Sequence, residues 1–142
     1  MTPLRPLPFV LLILSFLPLF GCSTALTTRK ARDLAPFKRI YVESRLSDNH
    51  RLDEQIATQL KRHGVDATFG VSTMRPDGVD AIATYTDRWQ WDFKDYMIEI
   101  QIDLRDARTN QPLATGHYHQ ASITTKHSEE VIRLILTPWF GK

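Results

Sequence analysis

The sequence predicts an α+β domain: a mostly antiparallel sheet of four or five strands with two helices packed on one face, in the order strand, helix, strands, helix. Three observations carry this. Leu52, Ile56 and Leu60 recur every four residues, which puts an apolar stripe on one side of a helix. Tyr96, Ile98, Ile100, Ile102 and Leu104 alternate with Met97, Glu99, Gln101, Asp103 and Arg105, the two-residue period of a strand buried on one face. Ser128-Glu129-Glu130 then precedes Val131, Leu134 and Ile135, a second helical pattern with a hydroxyl and two acidic residues at its positive end.

The elements follow in order. Ser23 to Ala35 contains serine, threonines, Arg29, Lys30 and Arg32 with little periodicity, and reads as a tether spanning 22–35 ahead of a single domain at 36–142. Lys38 to Glu43 combines β-branched and aromatic residues and is the first expected strand. Ser47-Asp48-Asn49 offers capping oxygens to the helix that follows, and Gly64 ends that helix because glycine adopts the left-handed conformation cheaply. Val65 to Phe69 is a short strand, and Arg75-Pro76-Asp77-Gly78 has the composition of a turn. Ala81 to Phe93 is a long strand whose alternating set, Ala81, Ala83, Tyr85, Trp89, Trp91 and Phe93, is interrupted by Asp87, so a bulge or bend is expected near it. Asp106 to Gln111 is a hairpin loop, and Leu113 to Gln120 returns as the partner strand, with Gly116 marking a close approach. Pro138 is expected to end the second helix, since the residue before proline avoids helical geometry.

The first 21 residues belong to a different physical class. Arg5 is their one charged side chain, and Phe9 to Phe20 is apolar except for Ser15. That run is roughly a dozen residues, against the ~20 that a membrane-spanning helix needs. A positive start, a short apolar run and a small residue at its end make an export signal, with cleavage expected between Gly21 and Cys22. Leu19-Phe20-Gly21-Cys22 resembles the bacterial lipobox, although Phe20 stands where a smaller residue is usual. The resemblance implies that the Cys22 thiol carries a diacylglycerol by thioether and that its amine is acylated after cleavage. Ser23, in place of aspartate, resembles the passengers sorted to the outer membrane.

Composition narrows the classes of function. In 142 residues there are 18 basic and 16 acidic side chains, a formal charge of +2, which argues against a nucleic-acid binder. One cysteine excludes an internal disulfide or a two-thiolate metal site. No serine elbow, zinc-protease helix, phosphate loop or dinucleotide fingerprint occurs, so neither catalysis nor a cofactor is expected. Two groups of residues remain as candidates. Trp89, Trp91 and Phe93 share a strand face and form either core or a partner-binding patch, with Trp89 the more buried. His117 and His119, two apart on a strand, point the same way and could share a metal, but they lack a placed third ligand and fit a polar strand face better. Asp87, Asp92, Asp95, Asp103 and Asp106 interleave with Arg88, Lys94, Arg105 and Arg108, which suggests cross-strand ion pairs rather than an acid–base dyad.

The lipobox followed by a small domain resembles the small bacterial outer-membrane lipoproteins of unassigned function, and Tyr96 to Tyr118 is similar to a hairpin recurring among them. The element order is also similar to periplasmic α+β modules such as the penicillin-binding-protein activator lipoproteins and the curli secretion lipoprotein, an analogy of fold alone. These resemblances imply a lipid-anchored periplasmic binding or assembly module at the outer membrane. Its expected partners are the membrane, through the N-terminal lipid, and an envelope protein held through a sheet face or edge strand. The alternative is a ligand or metal sensor using His117 and His119.

Overall fold

A computed structural model describes residues 24–121 and 126–141. The chain forms β1 (Ala25–Lys30), β2 (Arg39–Glu43), α1 (Leu52–Arg62), β3 (Asp66–Gly70), a 3-10 turn at Ser72–Met74, β4 (Ala81–Trp91), β5 (Asp95–Asp106), β6 (Pro112–His119) and α2 (Ser128–Phe140). The strands make one sheet in the order β1-β6-β5-β4-β2-β3. The class is α+β, but the sheet has six strands and is mixed rather than mostly antiparallel with four or five. β2 lies parallel to both of its neighbours, because the α1 crossover returns the chain in the same direction on one side and the 71–80 connection does so on the other. The remaining pairs are antiparallel.

The sixth strand comes from the segment read as a tether. Residues 25–30 pair along their whole length with β6 and close its edge. The strand has no apolar alternation in its sequence because it lies at the border of the sheet, where it is largely exposed. Its β-branched Thr27 and Thr28 were the available signal.

Both helices pack on one face of the sheet, and they touch each other. Leu52, Ile56 and Leu60 of α1, with Val131, Ile132, Ile135, Leu136 and Trp139 of α2, cover Ile40, Val42, Ala83, Tyr85, Ile100, Ile102 and Leu104. Gly116 is where α2 comes nearest: a methyl group there would lie 2.2 Å from Ile135 Cγ2. The close approach expected at that glycine is therefore a helix resting on the strand.

Three expectations need correction. First, the bulge expected near Asp87 is present at Arg88/Trp89, but its unmatched residue is Ile98 on β5, which changes the faces of that strand. Inserting one residue reverses which side chains face the core. Met97 thus enters the core at 2% exposure while Ile98, expected there, is only half-buried. Second, α2 does not stop before Pro138 but continues to Phe140. An interior proline costs about 3 kcal/mol, and burying a residue such as Trp139, whose truncation typically costs about 3–5 kcal/mol, offsets it. Third, Ser128 does not cap α2. His127 occupies the cap position, and Ser128 Oγ donates instead to Gln55 Oε1 at 2.6 Å, linking the two helices.

Candidate functional site

The face of the sheet without helices is a polar grid. Thr84, Asp103 and Thr115 lie side by side on β4, β5 and β6, followed by Thr86, Gln101 and His117, then by Arg88, Glu99 and His119. The alternation that buries Ile100 and Ile102 on one side presents these residues on the other. Glu99 receives Arg88 Nη2 at 2.7 Å and has His117 Nε2 at 2.7 Å. The His117 hydrogen bond, aided by the Arg88 charge, holds the Glu99 carboxyl below its ordinary pKa against the opposing effect of desolvation. Asp103 accepts from Thr115 Oγ1 at 2.5 Å and Gln101 Nε2 at 2.7 Å.

His117 and His119 therefore do share a face, but the carboxylate between them is already engaged by an arginine. Among the described residues no three His, Cys, Asp or Glu side chains form a group able to hold a metal ion. Among the described residues none of the five aspartates pairs with the interleaved basic residues: Arg88 crosses from β4 to Glu99 on β5, and Asp87 pairs with Arg45 in the loop after β2. Asp106 works as a turn residue, accepting the amides of Arg108 and Thr109.

The aromatic row divides. Trp89 is half-buried: its ring stacks on His50 with centroids 3.6 Å apart and planes 8° from parallel, and its Nε1 donates to Asp87 Oδ2 at 2.8 Å. Trp91 and Phe93, at the tip of the β4–β5 hairpin, are 70% and 92% exposed, with ring centroids 6.1 Å apart. The domain thus uses Trp89 for its own packing and leaves Trp91 and Phe93 free. The His50 stack could not be read from the sequence, because the loop that carries His50 has no periodic pattern to align with β4.

A second cluster fixes that loop. Asp48 accepts the Tyr85 hydroxyl at 2.6 Å and the amides of His50, Leu52 and Asp53, so its carboxylate caps α1 from four residues upstream. Arg51, at the formal cap position, is left-handed and offers no side-chain bond. Gly21, Cys22 and the export signal lie outside the described residues. No helix among the described residues is long and apolar enough to cross a membrane.

No protein-family model matches this chain, and no curated protein does. Among solved structures it is similar to PelC from Paraburkholderia phytofirmans, determined as a dodecamer. One PelC structure aligns with a TM-score of 0.66 and 13% identity over 82% of this chain and 99% of that one. A second, of a point variant, aligns with a TM-score of 0.65 and 12% identity over 84% of this chain and 100% of that one. At that identity the likeness shows a common fold, spanning the neighbour from end to end. TolB from Acinetobacter baumannii aligns with a TM-score of 0.47 and 17% identity over 79% of this chain and 29% of that one, too remote to support an argument.

Proposed function

We propose that this chain is a lipid-anchored cell-envelope protein, held through Cys22 at the periplasmic face of the outer membrane, and that it acts as an assembly module whose copies join through the edges of the sheet. The observation that carries the reading is the open sheet. β1 and β3 each have a neighbour strand on one side only among the described residues, leaving two rows of backbone donors and acceptors for another chain. The fold shared with a protein solved as a dodecamer supports self-assembly in particular.

The β1 edge can be tested without breaking the domain. The Ala31 amide donates to Leu113 O at 2.8 Å, so alternation along the strand turns the Thr28 amide towards the free edge. Thr28→Pro removes that outward donor and leaves the β1–β6 ladder paired. Light scattering on the detergent-solubilised lipidated protein is expected to show a multimer for the wild type and a smaller species for Thr28→Pro with little change in melting temperature. A wild type that stays monomeric over all concentrations refutes the assembly reading.

A further inference from the structure

We propose that the tip of the β4–β5 hairpin is a membrane-docking element, with Trp91 and Phe93 seated in the same phospholipid leaflet that holds the Cys22 lipid. The proposal rests on the lipid-anchor reading above and extends it from a single attachment to a second contact that fixes how the domain stands on the bilayer.

The argument begins with strand direction. Ala25 lies beside His119, His119 beside Glu99, and Glu99 beside Arg88, one line across four strands. β1 is antiparallel to β6, and β6 to β5, so β1 and β5 run the same way. The chain upstream of Ala25 therefore leaves the sheet at the end from which the β4–β5 hairpin projects. From that line the hairpin continues through Trp89 and Gln90 to Trp91, then Asp92, Phe93 and Lys94. Cys22 is three residues before Ala25, and Trp91 is three residues beyond Arg88. Three residues reach at most about 10 Å. The two three-residue segments start from that line with the same maximum reach, at positions three strand spacings apart, about 14 Å. A lipid on Cys22 thus brings the hairpin tip to the membrane surface.

The chemistry of the tip suits that surface. Tryptophan concentrates at membrane–water interfaces, and Lys94 can extend its stem beside the rings while its ammonium stays among headgroups. Phe93 has φ 61°, a left-handed conformation that favours glycine or asparagine. A large apolar residue held there, 92% exposed, gains nothing from the domain core. Such a departure from local preference points to a demand outside the fold. Arg29, Lys30 and Arg32 cannot supply the membrane contact, because β1 carries them away from the anchor: Lys30 Nζ lies 3.5 Å from Trp139 O and Arg32 Nη2 3.1 Å from Gln111 Oε1.

The experiment uses the full-length lipidated protein floated on vesicles of phosphatidylethanolamine and phosphatidylglycerol, with acyl chains either plain or brominated, and compares wild type with Trp91→Phe. Bromine quenches tryptophan only at close range. Of the three tryptophans, Trp139 is buried and Trp89 is covered by His50. The expected result is a loss of emission on brominated vesicles that disappears in Trp91→Phe, while both proteins float equally. Floated, lipidated protein whose Trp91 emission resists bromine overturns the proposal alone. Aqueous iodide then identifies the occupant: quenching means that the tip stands in water, and shielding means that a second copy covers it. Mass spectrometry showing an unmodified Cys22 overturns the anchor reading and this proposal with it.

Discussion

Asp48 shows how much one side chain does here. Burial by itself would raise its pKa, but the Tyr85 hydroxyl and the amides of His50, Asp53 and Leu52 together outweigh desolvation and hold it below the ordinary carboxylate value. A lowered carboxylate pKa contributes stability that is fully present above the unfolded value, ~3.9, and is lost as pH falls through the folded value. Asp48→Ala removes a helix cap, at about 0.5–2 kcal/mol, and strands the Tyr85 hydroxyl, at about 1–3 kcal/mol. Adding Tyr85→Phe should recover part of that loss, since the orphaned hydroxyl goes with it. Urea denaturation of wild type, Asp48→Ala, Tyr85→Phe and the double variant at neutral pH measures the coupling, and in a separate pH series the gap between wild type and Asp48→Asn should narrow as pH falls below the free carboxylate's pKa. A constant gap down to strong acid would show that the charge is not what matters. The sequence marks Asp48 as a source of capping oxygen because that bond is local. The bond to Tyr85 spans 37 residues, and no local pattern encodes it.

At the scale of elements, periodicity located nearly every helix and strand, and it failed wherever one added residue or a long-range contact changed its meaning. α1 follows its stripe, and its C-terminus carries the expected glycine, with φ 79° at Gly64. β5 follows its alternation from Ile100 to Leu104 and breaks it at Ile98, because a bulge resets the count. The sequence carries a hint of the bulge in Asp87 but not the strand that takes the extra residue. The break is measurable. Met97→Ala should cost about 2–5 kcal/mol, as truncation of a buried side chain does, and Ile98→Ala should cost distinctly less, because half of that side chain is already in water. Equal losses in thermal or chemical denaturation would mean that the faces do not exchange at the bulge. Pro138 gives the complementary lesson: a local rule for ending a helix yields to the burial of the next residue, which only the assembled core decides.

For the whole molecule the decisive feature is that the chain enters the sheet almost as soon as it leaves Cys22. A tether covering 22–35 would let the domain drift from an anchor at Cys22, with a root-mean-square reach of about 20 Å for a flexible chain of that length. With β1 in the sheet, no more than about 10 Å of chain would separate the lipid proposed on Cys22 from the first strand residue, and an anchored domain would stand on the surface in a set orientation. The same strand closes β6, whose other side is already paired with β5. A chain beginning at Pro36, the boundary that composition suggests, should therefore lose the β1–β6 ladder and expose β6 as a long edge. It is expected to melt at lower temperature than the chain from Ser23 and to aggregate as concentration rises, as unprotected edges do. Differential scanning calorimetry and light scattering on the two lengths decide the matter. Matching melting temperatures and equal solubility would restore residues 25–30 to the status of a linker. They would also remove the register that aligns the proposed Cys22 anchor with the hairpin tip, so the domain boundary and the proposed membrane geometry stand or fall together.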